Sequence, residues 1–217
     1  MNQNEKKMKV AEEALQYIES GCILGVGSGT TVNCFIEQLS KIKSKIDAVV
    51  SASESSSKLL MSKNIRVISL KEAGRIPIYI DGADESNSLK QLIKGGGGAL
   101  TREKILAQSS DRFVCMIDDS KFVSKLGNFP LPIEVIDVAS SILALELIKL
   151  GGRPVLRESF ITDNGNIILD VHNLNITEPI KLEKSINNLP GVVTNGLFAI
   201  RPADDLLISS DKGIEKI

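Results

Sequence analysis

Short apolar runs alternate with segments of helical period across the first half of the chain, and this order limits the fold more than any other feature. Residues 22–26, 47–51, 66–70, 76–80 and 113–117 read as strands, with Leu92 and Ile93 as a shorter one. Helical patterns run from Val32 to about Ser40, from the Ser-rich turn after Ser51 to about Lys63, and from Ala99 to about Ser109. A further helix over 5–20 precedes them, with one apolar face at Met8, Ala11, Leu15 and Ile18 and a stop at Gly21. Strands that alternate with helices imply a mostly parallel sheet in a doubly wound, Rossmann-like α/β domain.

The pattern changes after about Lys125. A strand over 133–136, a helix over 138–150 and strands over 154–160 and 166–172 are followed by a helix over 180–189 and a strand over 192–200. Thr162-Asp-Asn-Gly-Asn166 carries the Asn-Gly of a tight hairpin turn. The order βαββαβ is the ferredoxin-like α+β unit. The apolar run at 206–209 is expected to rejoin the first sheet. The expected division is therefore 1–126 plus 203–217 for the Rossmann-like domain and 127–202 for an inserted ferredoxin-like domain.

A formal net charge of −1 over 217 residues gives no basic field, which argues against nucleic acid as a partner. No apolar run reaches the roughly 20 residues of a membrane span. Cys22, Cys34 and Cys115 are widely spaced among apolar residues, as reduced thiols of a cytoplasmic protein would be. The single histidine, His172, cannot build a multi-histidine metal site and reads as structural.

Four glycines, Gly95 to Gly98, lie between Lys94 and the segment that carries Glu103. Glycine costs backbone entropy, and the usual return is close approach of backbone amides to a ligand, often an anion. A cation and a carboxylate flanking such a loop suit proton abstraction beside a carbonyl. The competing reading is a flexible linker, disfavoured because linkers usually mix in Ser or other polar residues and this run is flanked by apolar segments. Gly25-Val-Gly-Ser-Gly-Thr-Thr31 follows the first strand and opens a helix. It is neither a full Rossmann fingerprint nor a Walker loop. Two readings stand for it: a cradle for a small phosphate monoester, or a tight strand-to-helix turn. Asp81 and Asp84 could face a cleft and bind sugar hydroxyls, form a capped turn, or bind Mg²⁺, the last disfavoured by Lys94. Lys121 is a further cation at a strand end, or a solvated surface lysine.

These segments occur in one order with Phe129-Pro-Leu-Pro-Ile-Glu-Val135 and Pro190-Gly-Val-Val-Thr-Asn-Gly-Leu-Phe198. Together they closely resemble type A ribose-5-phosphate isomerase over nearly the whole chain. The resemblance implies a cofactor-free and metal-free aldose-ketose isomerase of the non-oxidative pentose phosphate pathway. Its small-molecule partner is a sugar phosphate that reacts through an enediolate, and its usual state is a homodimer or homotetramer. It implies that Glu103 moves the proton, Lys94 stabilises the developing oxyanion, Asp81 assists ring opening and Asp84 binds hydroxyls. Ser28, Gly29, Thr30 and Thr31 would hold substrate at the phosphate, helped by Lys121 and Lys7. Gly82, Ala83, Gly95, Gly96 and Gly97 complete the substrate-binding set. The family commonly reads Gly-Thr-Gly-Ser-Thr where this chain has Gly27-Ser-Gly-Thr-Thr31, an exchange that keeps the hydroxyls.

Overall fold

Asn2 and Glu5 open the first helix with a reciprocal capping box. The computed structural model describes all 217 residues. In chain order the elements are α1 (Gln3–Ala14), β1 (Cys22–Val26), α2 (Thr30–Ser40), β2 (Ile46–Ser51), α3 (Glu54–Ser62), α4 (Leu70–Ala73), β3 (Ile76–Gly82), β4 (Glu85–Ser86) and β5 (Leu92–Ile93). They continue with α5 (Leu100–Ser109), β6 (Ser110–Asp118), β7 (Leu131–Val135), α6 (Ser140–Lys149), β8 (Arg153–Leu156), β9 (Ile167–His172) and α7 (Pro179–Asn187). The last are β10 (Val192–Asn195), β11 (Leu197–Phe198), β12 (Asp205–Ser210) and β13 (Gly213–Lys216).

The chain divides into two compact units. The first comprises 1–83, 102–122 and 203–217. Its sheet has the order β2-β1-β3-β6-β12-β13, parallel except for β13. One face buries Leu24, Val26, Ile78, Ile80, Val114 and Met116 against Val10, Ala11 and Ala14 of α1 and Phe35, Ile36 and Leu39 of α2. The alternate residues of these strands share a face because side chains repeat every second position. From β1 the chain goes to β2 on one side and later to β3 on the other. That reversal marks the carboxyl ends of β1 and β3 as the place where ligands bind in such sheets. The run at 206–209 rejoins the sheet as β12, beside β6.

Two expectations change in this unit. Residues 66–70 form no strand, only a single parallel bridge of Val67 to Val49. The Ser69–Glu72 capping box starts α4 at once and ends the extended run. The helix expected over 5–20 stops at Ala14 and tightens into a 3₁₀ turn, after which Ile18 is extended.

The second unit comprises 84–101 and 123–202. Its four-stranded antiparallel sheet runs β10-β7-β9-β8, the ferredoxin-like order of fourth, first, third and second strands. Leu143 and Leu147 of α6 and Ile186 of α7 share its core with Ile133, Val135, Leu169 and Val171. The expected strand over 192–200 breaks at Gly196: β10 pairs with β7, whereas β11 pairs with β5 in a second, three-stranded sheet. A Cβ on Gly196 would lie 2.3 Å from the Lys94 carbonyl, so the break requires glycine. This second sheet moves 84–101 out of the domain in which the sequence placed it, because β4 and β5 pair with β11. The expected tight turn forms at 162–166, where the Thr162 amide donates to the Asn166 carbonyl at 2.8 Å, the Gly165 amide donates to the Thr162 carbonyl at 2.9 Å and Gly165 has φ of +82°. The strand before it is shorter than expected, because β8 ends at Leu156.

Candidate active site

In the first unit the site residues gather where β1 and β3 end. Asp81 is the penultimate residue of β3 and is fully buried. Its Oδ1 accepts from the Ser28 amide at 3.1 Å and the Gly82 amide at 2.7 Å, and its Oδ2 accepts from the Tyr79 hydroxyl. Tyr79 lies two residues before Asp81 on the same strand, so the pleat puts both on one face. Burial pushes the Tyr79 phenol well above its ordinary value, and the charges of Asp81 and Glu103 push the same way. The hydroxyl therefore keeps its proton and acts as a donor. Its ring stacks on Phe113 at 4.9 Å.

Glu103 enters from the first turn of α5 and is 3% exposed. Its Oε1 accepts from Ser28 Oγ at 2.7 Å. Its neighbour Arg102 pairs with Glu54 at 2.9 Å. Ser28 thus donates its amide to one carboxylate and its hydroxyl to another. Beyond it, Gly29 caps α2 with φ of +103° and no side-chain hydrogen bond. Such a turn leaves the first helical amides for an anion. Lys7 of α1 donates to Thr30 Oγ1 at 2.9 Å, which brings a cation to the same helix end. Lys121 sits in the 3₁₀ turn after β6, which Asp118 caps.

The glycines of the 25–31 loop do different work from that expected. A Cβ on Gly25 would lie 3.0 Å from the Tyr79 ring, and one on Gly27 would lie 1.8 Å from the Asp81 carboxyl carbon. These two positions make room for side chains of β3. Gly29 alone serves the helix end.

In the second unit Lys94 follows β5 and is 2% exposed. Its amide donates to the Gly196 carbonyl at 2.9 Å, and its ammonium lies 5.7 Å from the Phe198 ring centre. Asp84 Oδ2 accepts from the Gly96 amide at 2.7 Å, and the Gly98 amide donates to the Gly95 carbonyl at 2.9 Å. The amides of Lys94, Gly96 and Gly98 are therefore engaged within the protein. The turn is also clamped. Arg157 donates to the carbonyls of Gly95 and Gly96 at 3.3 and 3.1 Å. Asp170 holds the same guanidinium through two bonds of 2.8 and 2.6 Å, and Phe160 lies 5.3 Å from it.

Glu85 turns away from Asp84 and accepts the amides of Gly127 and Phe129 at 2.7 and 2.6 Å. The 162–166 turn is organised by Glu134, fully buried on β7. It accepts from Thr162 at 2.9 Å, Asn164 at 3.1 Å and Asn166 at 2.8 Å, and also from Thr101. Sequence reasoning missed Tyr79, Glu134 and Arg157. For Tyr79 the signal was its two-residue spacing from Asp81. Arg157 pairs with residues more than 60 positions away, for which no local pattern exists.

Buried carboxylates held by a hydroxyl and a phenol, beside an uncapped helix end with a lysine, are the parts of an α/β enzyme that moves protons on a small anionic ligand. The profile of ribose 5-phosphate isomerase A (phosphoriboisomerase A) matches residues 48–213. The ribose-5-phosphate isomerase A of Buchnera aphidicola subsp. Acyrthosiphon pisum (strain Tuc7) is 57% identical over 217 residues, covering 100% of this chain and 97% of that protein. The ribose 5-phosphate isomerase A structure from Neisseria gonorrhoeae is 45% identical with a TM-score of 0.98, covering 100% and 97% of the two chains. A D-ribose-5-phosphate isomerase in complex with phospho-erythronic acid is 35% identical with a TM-score of 0.95, covering 100% and 99%. The chain belongs to the ribose 5-phosphate isomerase A family, and its activity is the isomerisation of ribose 5-phosphate.

Proposed function

We propose that Glu103 is the base that carries a proton between C2 and C1 of the opened sugar, which interconverts D-ribose 5-phosphate and D-ribulose 5-phosphate through an enediolate. One carboxylate can take the proton from one carbon and return it to the next, acting as base and then acid. Lys94 supplies positive charge to the oxygen on which the enediolate charge develops. Asp81 assists ring opening. Asp84 binds sugar hydroxyls with Gly82, Ala83 and the amides of Gly95 and Gly97, while Gly96, whose amide donates to Asp84, brings the turn against that carboxylate. The phosphate sits at the start of α2, on Gly29, Thr30 and Thr31, with Lys7 and Lys121 as its cations. The reaction uses no metal or cofactor. The enzyme works in the cytoplasm as a homodimer or homotetramer. Ile142, Leu145 and Ile148 on α6 are 61, 61 and 56% exposed, an apolar stripe that a second copy would cover.

The observation that carries this reading is the buried Glu103 carboxylate held at 2.7 Å by Ser28. The test is turnover of ribose 5-phosphate with excess chelator, for the wild type and for Glu103→Gln. The wild type is expected to make ribulose 5-phosphate undiminished. The variant is expected to bind substrate, lose about 10²–10⁴-fold in kcat and fail to exchange the C2 hydrogen with D₂O. A variant with more than about a tenth of wild-type kcat would move the base to Asp81 or Asp84.

A further inference from the structure

We infer that Ser28 is a positioning residue for proton transfer and not a ligand of the phosphate: its hydroxyl orients the Glu103 carboxylate while its amide orients that of Asp81. The inference rests on Glu103 being the base. Three features of the first unit carry it.

The first is direction. Ser28 Oγ donates to Glu103 Oε1 at 2.7 Å, and Ser28 N donates to Asp81 Oδ1 at 3.1 Å. Both donors of the residue are thus directed at carboxylates. The hydroxyl distance is that of a bond assisted by charge on the acceptor. The second is its place relative to the helix. Gly29 is the cap of α2 and Thr30 its first residue. Ser28 lies one position outside the cap, apart from the amides that end a helix and attract an anion. Thr30, by contrast, already receives Lys7 at 2.9 Å.

The third is chemical. A base that also serves as acid alternates between carboxylate and carboxylic acid during turnover. A hydroxyl donates to the first state and can also accept the O–H of the second, whereas an amide or an ammonium can only donate. Glutamate has three side-chain torsions, and a hydrogen bond at one oxygen fixes the plane of the carboxyl group. Small misplacement of a reacting group is costly to rate, so this orientation acts on kcat.

Ser28→Ala removes the hydroxyl and keeps the amide that holds Asp81. It is expected to lower kcat about 10- to 100-fold, the scale of one hydrogen bond to a charged group. KM is expected to stay within about twofold, and the inhibition constant of inorganic phosphate is expected to stay at its wild-type value. Ser28→Thr, which restores a hydroxyl, recovers most of the loss. If the alanine variant fails to fold, Ser28→Cys keeps the volume, weakens the donor and should show the same split. A raised KM and a raised phosphate inhibition constant at near wild-type kcat would instead make Ser28 a phosphate ligand and overturn the inference. Glu103→Gln is measured alongside. If it is inactive while Ser28→Ala keeps kcat, only the positioning role fails. If it turns over normally, the assignment of the base fails, and the inference falls with it.

Discussion

The loops 25–29 and 95–98 are both rich in glycine and both admit an aspartate against the backbone, yet they are built for different ends. In the first, Gly27 leaves room for Asp81; in the second, Gly96 does so for Asp84, whose carboxylate would lie 2.7 Å from an added Cβ. The first loop then runs straight into α2 through a cap with no side-chain bond. The second closes on itself from Gly95 to Gly98, and Arg157 holds its carbonyls. Glycine in a sequence therefore does not by itself mean amides for an anion. What matters is which backbone groups remain after the neighbouring side chains have taken theirs. By that measure the first loop is the one that ends in a helix start without a side-chain cap, while the second is a turn held from outside by Arg157.

The most severe way to break this comparison is Gly27→Ala. The added Cβ would fall 1.8 Å from Asp81 Cγ, a short side chain that Ser28, Gly82 and Tyr79 all hold. No flexible chain end can give way. The substitution is expected to cost about 3 kcal/mol of stability in denaturant melts, at the upper end for overpacking, and to reduce activity below about 1%. At Gly29 a Cβ meets open space and only the φ of +103° is strained, so Gly29→Ala is the milder change. Equal effects at the two positions would mean that the room made for Asp81 is not what Gly27 provides.

The second loop is tested at its clamp. Arg157→Met keeps the apolar stem but removes the bonds to Gly95 and Gly96 and leaves Asp170, 20% exposed, without its cation. A loss of about 2 kcal/mol is expected, below the full cost of breaking a buried pair because both partners keep some contact with water. Amide exchange should quicken at Gly96 and Gly98 while the amides of 27–31 keep their rates. Unchanged exchange at Gly96 and Gly98 would show that Asp84 and the turn itself suffice.

How far the sequence reveals these differences depends on the range of the interactions. The parallel sheet, the ferredoxin-like order and the return of β12 follow from apolar periods that each segment carries within itself. The glycine runs, Asp81, Asp84, Lys94 and Glu103 stand out by type and spacing. The fate of each backbone amide did not, because it depends on partners distant in the chain. Arg157, Phe160 and Asp170 hold a turn more than 50 residues earlier. Glu134 gathers Thr162, Asn164 and Asn166, so the tight turn that the Asn-Gly motif announces is also a cage around a buried carboxylate. The break of the last strand at Gly196 likewise answers to the Lys94 carbonyl, about a hundred residues away in sequence. The strand at 66–70 failed for a local reason that was legible, the Ser69–Glu72 capping box.

The smallest expected effect concerns Tyr79, the residue that Gly25 accommodates. Tyr79→Phe keeps the ring and its 4.9 Å stack on Phe113 and removes only the bond to Asp81 Oδ2. Asp81 retains two amide donors on Oδ1, so the loss is expected to be about 1 kcal/mol near neutral pH. The pH dependence has a definite sign. Burial raises the phenol above its ordinary value in the folded state, and the unfolded phenol ionises at about pH 10. The stabilisation is therefore whole below about pH 10 and is lost as pH rises from there toward the folded value. Tyr79→Phe removes this alkaline slope. Denaturant melts at about pH 8 and pH 11 measure it, and tyrosinate absorbance gives an independent check. Tyr79 is one of two tyrosines, and burial is expected to keep it protonated in the folded protein through mild alkali. The titration of the folded variant should thus overlay that of the folded wild type, and the two should separate only on unfolding. A smaller amplitude in the folded variant would mean that Tyr79 ionises in place. The donor that completes the Asp81 site would then be lost in mild alkali, and the room left by Gly25 would serve packing alone.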